Sequence, residues 1–148
     1  MRLGASGLLI PAMMLKTRRE ETTMLGDKDV IATVAVKDLA AARKFYEGTL
    51  GLKVADATGS EAITFASGRS TLIVYRSQYA GTNKATALNW KVGDDIDKTV
   101  AALRERGVAF EHYDFPGATR TGDVHVMGPM KSAWFKDPDG NIIALMSG

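Results

Sequence analysis

The feature that most constrains the fold of this chain is an internal repeat. In each half, an apolar run is followed by an aspartate, then by an amphipathic segment that ends at glycine, then by short strand-like runs. Asp38 and Asp95 lie 57 residues apart, and the closing glycines Gly51 and Gly107 lie 56 apart. Such a near-constant spacing is typical of a duplicated structural unit. We therefore expect two copies of one half-domain.

Each copy predicts the element order βαβββ. Val30–Val36 is an almost continuous run of β-branched and small apolar residues, which indicates a buried strand. Asp38 is suited to cap the helix that follows to about Thr49. A similar strand at 85–92 and an acidic cap at Asp94 or Asp95 open the second copy. Further strands are expected at 52–57, 61–66 and 70–76, and at 108–113, 131–136 and 141–147.

This pattern predicts an α+β fold in which two βαβββ modules form a curved mixed sheet with the helices on its convex face. The modules span about residues 29–78 and 84–147, within a domain of residues 29–148. Residues 1–28 are interpreted as an N-terminal extension. The concave face of the sheet is then open to a ligand.

The composition argues against several classes of partner. The 19 basic and 17 acidic residues are interspersed and give a net charge of +2, so no basic stripe is available for nucleic acid. Residues 8–15 are apolar but too short to span a bilayer, and the polar residues after them do not resemble a signal-peptide cleavage site. The chain has no cysteine, which excludes disulfides and thiolate metal sites. We expect a cytoplasmic protein without a nucleic-acid or membrane partner.

Several motifs resemble those of one known family. Residues 34–39 (Val-Ala-Val-Lys-Asp-Leu), 45–46 (Phe-Tyr) and 50–52 (Leu-Gly-Leu) resemble the opening motif of the vicinal-oxygen-chelate superfamily. Residues 133–143, Ala-Trp-Phe-Lys-Asp-Pro-Asp-Gly-Asn-Ile-Ile, resemble its closing hairpin. This superfamily contains glyoxalases, bleomycin-resistance proteins and extradiol dioxygenases. Phe45 and Tyr46 are expected to be core aromatics, and Gly140 a turn residue with positive φ.

The resemblance also implies where a metal would bind. In metal-dependent members, His, Gln or Glu side chains from several strands hold one divalent ion on the concave face. Carried over by position, these ligands fall on Ile31, Ala87 and Ala144, with another at Ile73 or Val74. Apolar side chains offer no donor atom to a metal. We therefore expect no metal and no other cofactor.

The same positions identify the expected pocket, because residues two apart along a strand share a face. Trp134 joins this face if Asp137 pairs with Asn141 across the closing hairpin. Such a pocket is mostly apolar, with an indole, a phenol and an amide to orient a small organic ligand. Trp90 is expected on the opposite face, beneath a helix. The predicted ligand-binding residues are Ile31, Tyr75, Ala87, Asn89, Trp134, Ala144 and Met146.

The sequence leaves three functions open. The first is metal-independent binding of a small organic ligand, either to sequester it, as bleomycin-resistance proteins do, or to transform it. The second is a metal-dependent lyase or dioxygenase with displaced ligands, for which the candidates are His112, Asp114, Asp123 and His125, the last in a loop expected at 122–129. The third is a non-catalytic dimeric interaction module, which is favoured if the concave face is filled, as by Trp134, or is covered by residues 1–23. The resemblance to drug-sequestering proteins with clefts between subunits also implies a homodimer.

Overall fold

The computed structural model describes residues 24–148 of the chain. Residues 24–30 belong to a different unit from residues 31–148 and hold one 3-10 turn, Leu25–Asp27. Most of the predicted N-terminal extension, residues 1–23, lies outside the described residues. Among residues 24–148, no helix combines the length and the apolar character needed to cross a membrane.

The first module is a four-stranded sheet with one helix. Asp38 caps α1 (Leu39–Arg43) as predicted, because its Oδ1 accepts hydrogen bonds from the backbone N–H groups of Ala40 and Ala41 at 2.9 and 3.3 Å. The helix continues as a π-helical turn, Lys44–Thr49. The strands are β1 (Ala32–Val36), β2 (Lys53–Asp56), β3 (Ala62–Ser67) and β4 (Ser70–Arg76). They lie in the order β1-β4-β3-β2, with β1 parallel to β4.

The second module repeats this arrangement around α2 (Ile96–Glu105). Its strands are β5 (Thr86–Lys91), β6 (Phe110–Glu111), β7 (Thr119–Thr121), β8 (Val124–Met127), β9 (Met130–Lys136) and β10 (Ile142–Met146). They lie in the order β5-β10-β9-β8-β7, β6 also pairs with β9, and β5 is parallel to β10. Strands β5, β10, β9 and β6 therefore correspond to β1, β4, β3 and β2. The predicted mixed α+β fold is confirmed, with its strands divided between two sheets.

Two local details of the second module differ from the first module or from the prediction. His125, expected in a loop, lies in β8 and pairs with Ser132 of β9. The glycines around this segment suggest a loop, whereas pairing with a distant strand makes it part of the sheet. Asp95, one of the two predicted cap residues, takes the N-cap position of α2, but its side chain makes no capping hydrogen bond. The helix starts from a 3-10 turn, so Asp95 has φ −83° and ψ 7° rather than the extended conformation that capping favours.

The two modules share one hydrophobic core. Residues from α1, from α2 and from both sheets belong to a single cluster of buried side chains. Tyr46 of the first helix is fully buried against Phe65, with ring centroids 5.9 Å apart, and the neighbouring Phe45 contacts Phe135 of the second module at 6.4 Å. Phe45 and Tyr46 are therefore core aromatics, as their motif predicted. Burying aromatic rings between the modules is a large favourable contribution to their association.

The closing hairpin motif also links the two modules. The buried carboxylate of Asp137 accepts hydrogen bonds from the Tyr46 hydroxyl at 2.8 Å, from the backbone N–H groups of Asp139 and Asn141, and from Asn141 Nδ2. Asn141 Nδ2 also donates to the backbone oxygen of Ala35 in β1, at 2.8 Å. Gly140 has φ 89°, the positive value expected of it. A buried charge needs such partners to be tolerated.

Candidate ligand-binding site

The register of the six-stranded sheet brings five of the predicted site residues together. Trp134 of β9 pairs with Ala144 of β10, and Ala144 pairs with Asn89 of β5, so their side chains form a row on one face. Met146 lies two residues further along β10. Ala87 lies beside the row, where the register between β5 and β10 shifts by one residue.

The other two predicted residues lie in or next to the four-stranded sheet. Tyr75 of β4 is 40% exposed and pairs with Ala35 and Ala62 on the neighbouring strands. Ile31 directly precedes β1 and is 49% exposed. Among the described strands, the two sheets are not joined by backbone pairing. Within one chain, the predicted residues are therefore divided between the six-stranded sheet, which holds five of them, and the four-stranded sheet with the residue just before it.

Trp90 lies on the opposite face of the six-stranded sheet, as the alternation along β5 predicted. It pairs with the buried Leu145 and packs against the shared core. Its Nε1 donates a hydrogen bond of 2.9 Å to Oγ of Ser67 in the first module. The two tryptophans of the chain therefore lie in different environments, because Trp90 faces the core and the other module whereas Trp134 faces away from them.

Trp134 is the centre of an aromatic cluster, which we define as Tyr113, Phe115, His125 and Trp134. The ring centroid of Trp134 lies 5.0 Å from that of His125, 5.4 Å from Phe115 and 5.5 Å from Tyr113. The sequence patterns did not single out Tyr113 and Phe115 as site residues. The strand alternation could have identified them. Glu111 pairs with Trp134 between β6 and β9, and Tyr113 and Phe115 follow Glu111 at two-residue steps, so they are expected on the same face as Trp134.

His125 has an unusual environment within this cluster. It is only 4% exposed, and its Nε2 accepts a hydrogen bond of 3.0 Å from the backbone N–H of Tyr113. In the neutral imidazole the proton is then on Nδ1, and this atom has no hydrogen-bond partner within the described part of the chain. Leaving a buried donor unpaired costs on the order of 1–3 kcal/mol, so His125 holds an unused hydrogen-bonding group.

Two clefts flank Trp134. The larger, of about 890 Å³, combines the rings of Tyr113, Phe115 and Trp134 with charged side chains of both signs, namely Lys84, Glu111, Asp114 and Lys136. Within it, Nζ of Lys136 lies 3.2 Å from Oε1 of Glu111, and the Trp134 Nε1 donates a 3.3 Å hydrogen bond to the hydroxyl of Thr86. The smaller, of about 260 Å³, is lined by Phe115, Ala118, His125, Met127, Met130, Ser132 and Trp134.

In the alternative metal site at the histidines, two of the candidate ligands, His112 and Asp123, are hydrogen-bonded to protein side chains. His112 Nε2 lies 2.7 Å from Oδ1 of Asp123, and Oδ2 of Asp123 accepts from Nε of Arg104 at 3.1 Å. These hydrogen bonds, that of His112 first, lower the pKa of Asp123 below its ordinary value. Across residues 24–148, no group of three or more acidic or histidine side chains is arranged to hold a metal ion.

The metal positions implied by the resemblance do not fit a metal either. Ile31, Ala87 and Ala144 have no donor atoms, and Ala144 is also buried. Ile73 and Val74, the two candidates for the remaining position, have hydrocarbon side chains as well. No step of a reaction can therefore be assigned to a metal held by these residues.

Comparison with known proteins identifies the family. The family model of the Glyoxalase/Bleomycin resistance protein/Dioxygenase superfamily matches residues 29–145. The chain therefore belongs to this superfamily, as its motifs predicted. No curated protein matches the chain in sequence.

Solved structures show the same fold at low sequence identity. A glyoxalase family protein from Enterococcus faecalis has a TM-score of 0.64 at 20% identity, covering 83% of this chain and 99% of its own. Lactoylglutathione lyase from Agrobacterium tumefaciens has a TM-score of 0.61 at 18% identity, and the match covers 82% of this chain and 94% of the lyase. Fosfomycin resistance protein FosX from Mesorhizobium loti has a TM-score of 0.61 at 17% identity, and the match covers 82% of this chain and 92% of FosX. At these identities the likeness concerns the fold.

Proposed function

We propose that this protein binds a small, partly aromatic organic ligand without a metal, in the clefts beside Trp134. The observation that carries this proposal is the position of Trp134, whose half-buried indole stands between two clefts and is supported by three other rings. Pockets of a few hundred Å³ that combine aromatic walls with a few polar groups are typical of small-molecule sites.

The polar groups support a ligand that has polar atoms as well as a ring. The larger cleft contains both ammonium and carboxylate groups, which suit a neutral polar or zwitterionic molecule better than a strongly charged one. In the smaller cleft, an acceptor atom of the ligand that reaches Nδ1 of His125 supplies the missing hydrogen bond. The ligand is thus held by stacking and hydrogen bonds rather than by coordination.

The proposal extends to a homodimer in the cytoplasm. Tyr75 lies on the sheet of the first module and Ile31 just before its first strand, so a second copy is the partner that can bring this sheet against the cluster around Trp134. The bleomycin-resistance proteins of the superfamily and the relative named as a lyase support two outcomes for the bound molecule, sequestration and conversion respectively. Sequestration is favoured here because the metal positions are apolar.

The experiment uses the single-tryptophan variant Trp90→Phe, in which the fluorescence reports on Trp134 alone. We expect bleomycin and smaller aryl compounds from a screening panel to include saturable quenchers of this signal. The matched variant Trp134→Phe should show no quenching by the same compounds. Native mass spectrometry of the purified protein detects any molecule that remains bound.

Metal analysis of the same preparation tests the second half of the proposal. We expect no stoichiometric transition metal and no thermal stabilisation by added Ni, Zn, Mn or Fe. A metal that binds the folded protein and is present at a hundred times its Kd would raise the free energy of unfolding by about 2.7 kcal/mol. Near-equimolar bound metal contradicts the proposal and favours a metal-dependent enzyme with displaced ligands.

A further inference from the structure

A cavity of about 460 Å³ lies on the core-facing side of the six-stranded sheet, where the two modules meet. Its apolar wall combines Trp90, Phe135 and Leu145 of that sheet with Leu103 of α2. Leu103, Phe135 and Leu145 belong to the buried core, so the cavity reaches into the core. Because Phe135 and Trp134 are neighbours on one strand, they point to opposite faces, and this cavity is separate from the clefts beside Trp134.

One free hydrogen-bond donor accompanies this apolar wall. Ser67 follows the buried Phe65 at a two-residue step in β3, so its side chain lies on the core face of the four-stranded sheet. Its Oγ accepts the 2.9 Å hydrogen bond from Trp90, and its own proton has no acceptor among the residues described. The hydroxyl of Thr99, also in the lining, donates to the backbone oxygen of Asp95 and is therefore used within the helix. The cavity thus offers a ligand the O–H of Ser67.

The wall of the cavity gives a charged ligand no partner. In the lining contributed by residues 24–148, Lys53 is the one charged residue. Lys53 is exposed and pairs with Ala66, the neighbour of Ser67, so its side chain lies on the face opposite Ser67. An ionised group that enters such an apolar space loses its hydration without gaining a partner. The site therefore favours a neutral molecule.

We propose that this cavity is a second binding site, for a neutral and mostly apolar molecule that carries one hydrogen-bond acceptor, such as a ketone. The apolar body lies against Leu103, Phe135 and Leu145, where it removes apolar surface from water. The acceptor takes the free proton of Ser67, which a hydrocarbon leaves unpaired. The volume is within the range of small-molecule pockets. This inference does not depend on the function proposed for Trp134.

The test titrates cyclohexyl methyl ketone, cyclohexanecarboxylate and methylcyclohexane, which share one ring, into the Trp134→Phe variant, in which Trp90 is the sole tryptophan. We expect a saturable change in Trp90 fluorescence with the ketone. At neutral pH the carboxylate should bind about tenfold more weakly or worse, because its charge is buried without a partner. Ser67→Ala should weaken ketone binding about two- to tenfold, the usual contribution of one neutral hydrogen bond, and should change methylcyclohexane binding less.

Thr99→Phe tests where the ligand lies. Thr99 lines the cavity from α2 and is partly buried, so a larger side chain there enters the space proposed for the ligand. We expect the affinities for the ketone and the hydrocarbon both to fall by about tenfold or more. The control Lys98→Phe adds the same ring at an exposed neighbouring position outside the lining and should leave both affinities unchanged. Nuclear Overhauser effects from the ligand ring to the methyl groups of Leu103 and Leu145 locate it without a substitution in the cavity.

Three results overturn the inference. The first is an absence of any saturable Trp90 response to the ketone in a variant whose thermal unfolding shows it to be folded. The second is equal affinity for the ketone and the carboxylate, or an equal loss for the ketone and the hydrocarbon in Ser67→Ala, because the site then does not select a neutral acceptor. The third is ketone binding without Overhauser effects to Leu103 and Leu145, because the ligand then lies elsewhere.

Discussion

At the scale of single residues, Asp137 shows how one side chain can hold two modules together. Its carboxylate accepts hydrogen bonds from the hydroxyl of Tyr46 in the first module and from three N–H groups of its own hairpin. Burial, followed by the neighbouring carboxylate of Asp137, raises the pKa of Tyr46 far above its ordinary value. Tyr46 is therefore protonated in the folded state, and its hydroxyl proton forms the hydrogen bond to Asp137 that joins the modules.

Replacing Tyr46 by Phe removes this proton and keeps the ring. We expect the free energy of unfolding to fall by about 1.5–3 kcal/mol, the usual loss for a hydrogen bond to a charged group. Urea unfolding at neutral pH measures the change. The control Tyr79→Phe alters an exposed tyrosine and should change stability little.

The raised pKa of Tyr46 also predicts a pH dependence. The unfolded tyrosine ionises near its ordinary pKa of about 10, whereas the folded one remains protonated. The stabilisation from Tyr46 is thus fully present below about pH 10 and is lost as the pH rises beyond it. The stability difference between the native protein and Tyr46→Phe should narrow over this range, and a constant difference up to about pH 11 contradicts the prediction.

Two glycines with similar backbone conformation allow strain and close contact to be separated. Gly81 has φ +75° and Gly117 has φ +79°, but a Cβ on Gly81 would clash with the backbone oxygen of Asp139, whereas Gly117 has open space. We expect Gly117→Ala to cost about 1 kcal/mol through its left-handed conformation alone. Gly81→Ala should cost clearly more, because a backbone atom must also move. Equal unfolding midpoints for the two variants contradict this reasoning.

At the scale of secondary-structure elements, the hairpin of β7 and β8 is an addition to the repeated module. It is attached to α2 through Asp123, whose carboxylate accepts a hydrogen bond from Arg104 of the helix. The same carboxylate is hydrogen-bonded to His112 in the segment after β6. The hairpin also supplies His125 to the aromatic cluster. An element outside the repeat therefore helps to form the cleft beside Trp134.

Asp123→Asn should loosen this attachment and lower the thermal midpoint. The lowered pKa of Asp123 means that its stabilisation is present above the ordinary carboxyl pKa of about 4 and is lost as the pH falls through the lowered value. Calorimetry should therefore show a difference from the native protein at neutral pH that disappears in strong acid. The control Asp114→Asn removes the same charge from a neighbouring exposed position and should have a smaller effect.

At the scale of the whole molecule, one core serves both modules, while each sheet has a face that this core does not cover. Tyr75 lies on that face of the four-stranded sheet and Trp134 on that face of the six-stranded sheet. Both carry aromatic side chains with partial exposure. A homodimer that brings the two faces together buries this surface and encloses the clefts.

Light scattering at micromolar concentration should give twice the chain mass of 15.9 kDa. Tyr75→Glu places a charge on the face proposed to meet the second copy and should shift the protein toward the monomer. The control Tyr79→Glu makes the same change at a more exposed tyrosine outside the strands and should leave the mass unchanged. A monomer mass for the native protein rules out the dimer under these conditions.

The sequence by itself determined the repeated modules, the cap at Asp38 and the alternation that separates Trp90 from Trp134. Each of these depends on local patterns, in which spacings of two to four residues fix which side chains share a face. Only the tertiary structure decided that Tyr113, Phe115 and His125 surround Trp134, that Asp137 bonds to Tyr46, and that β7 and β8 join the sheet. Those contacts depend on strand pairing and packing between distant segments, where local periodicity carries no information about the partner.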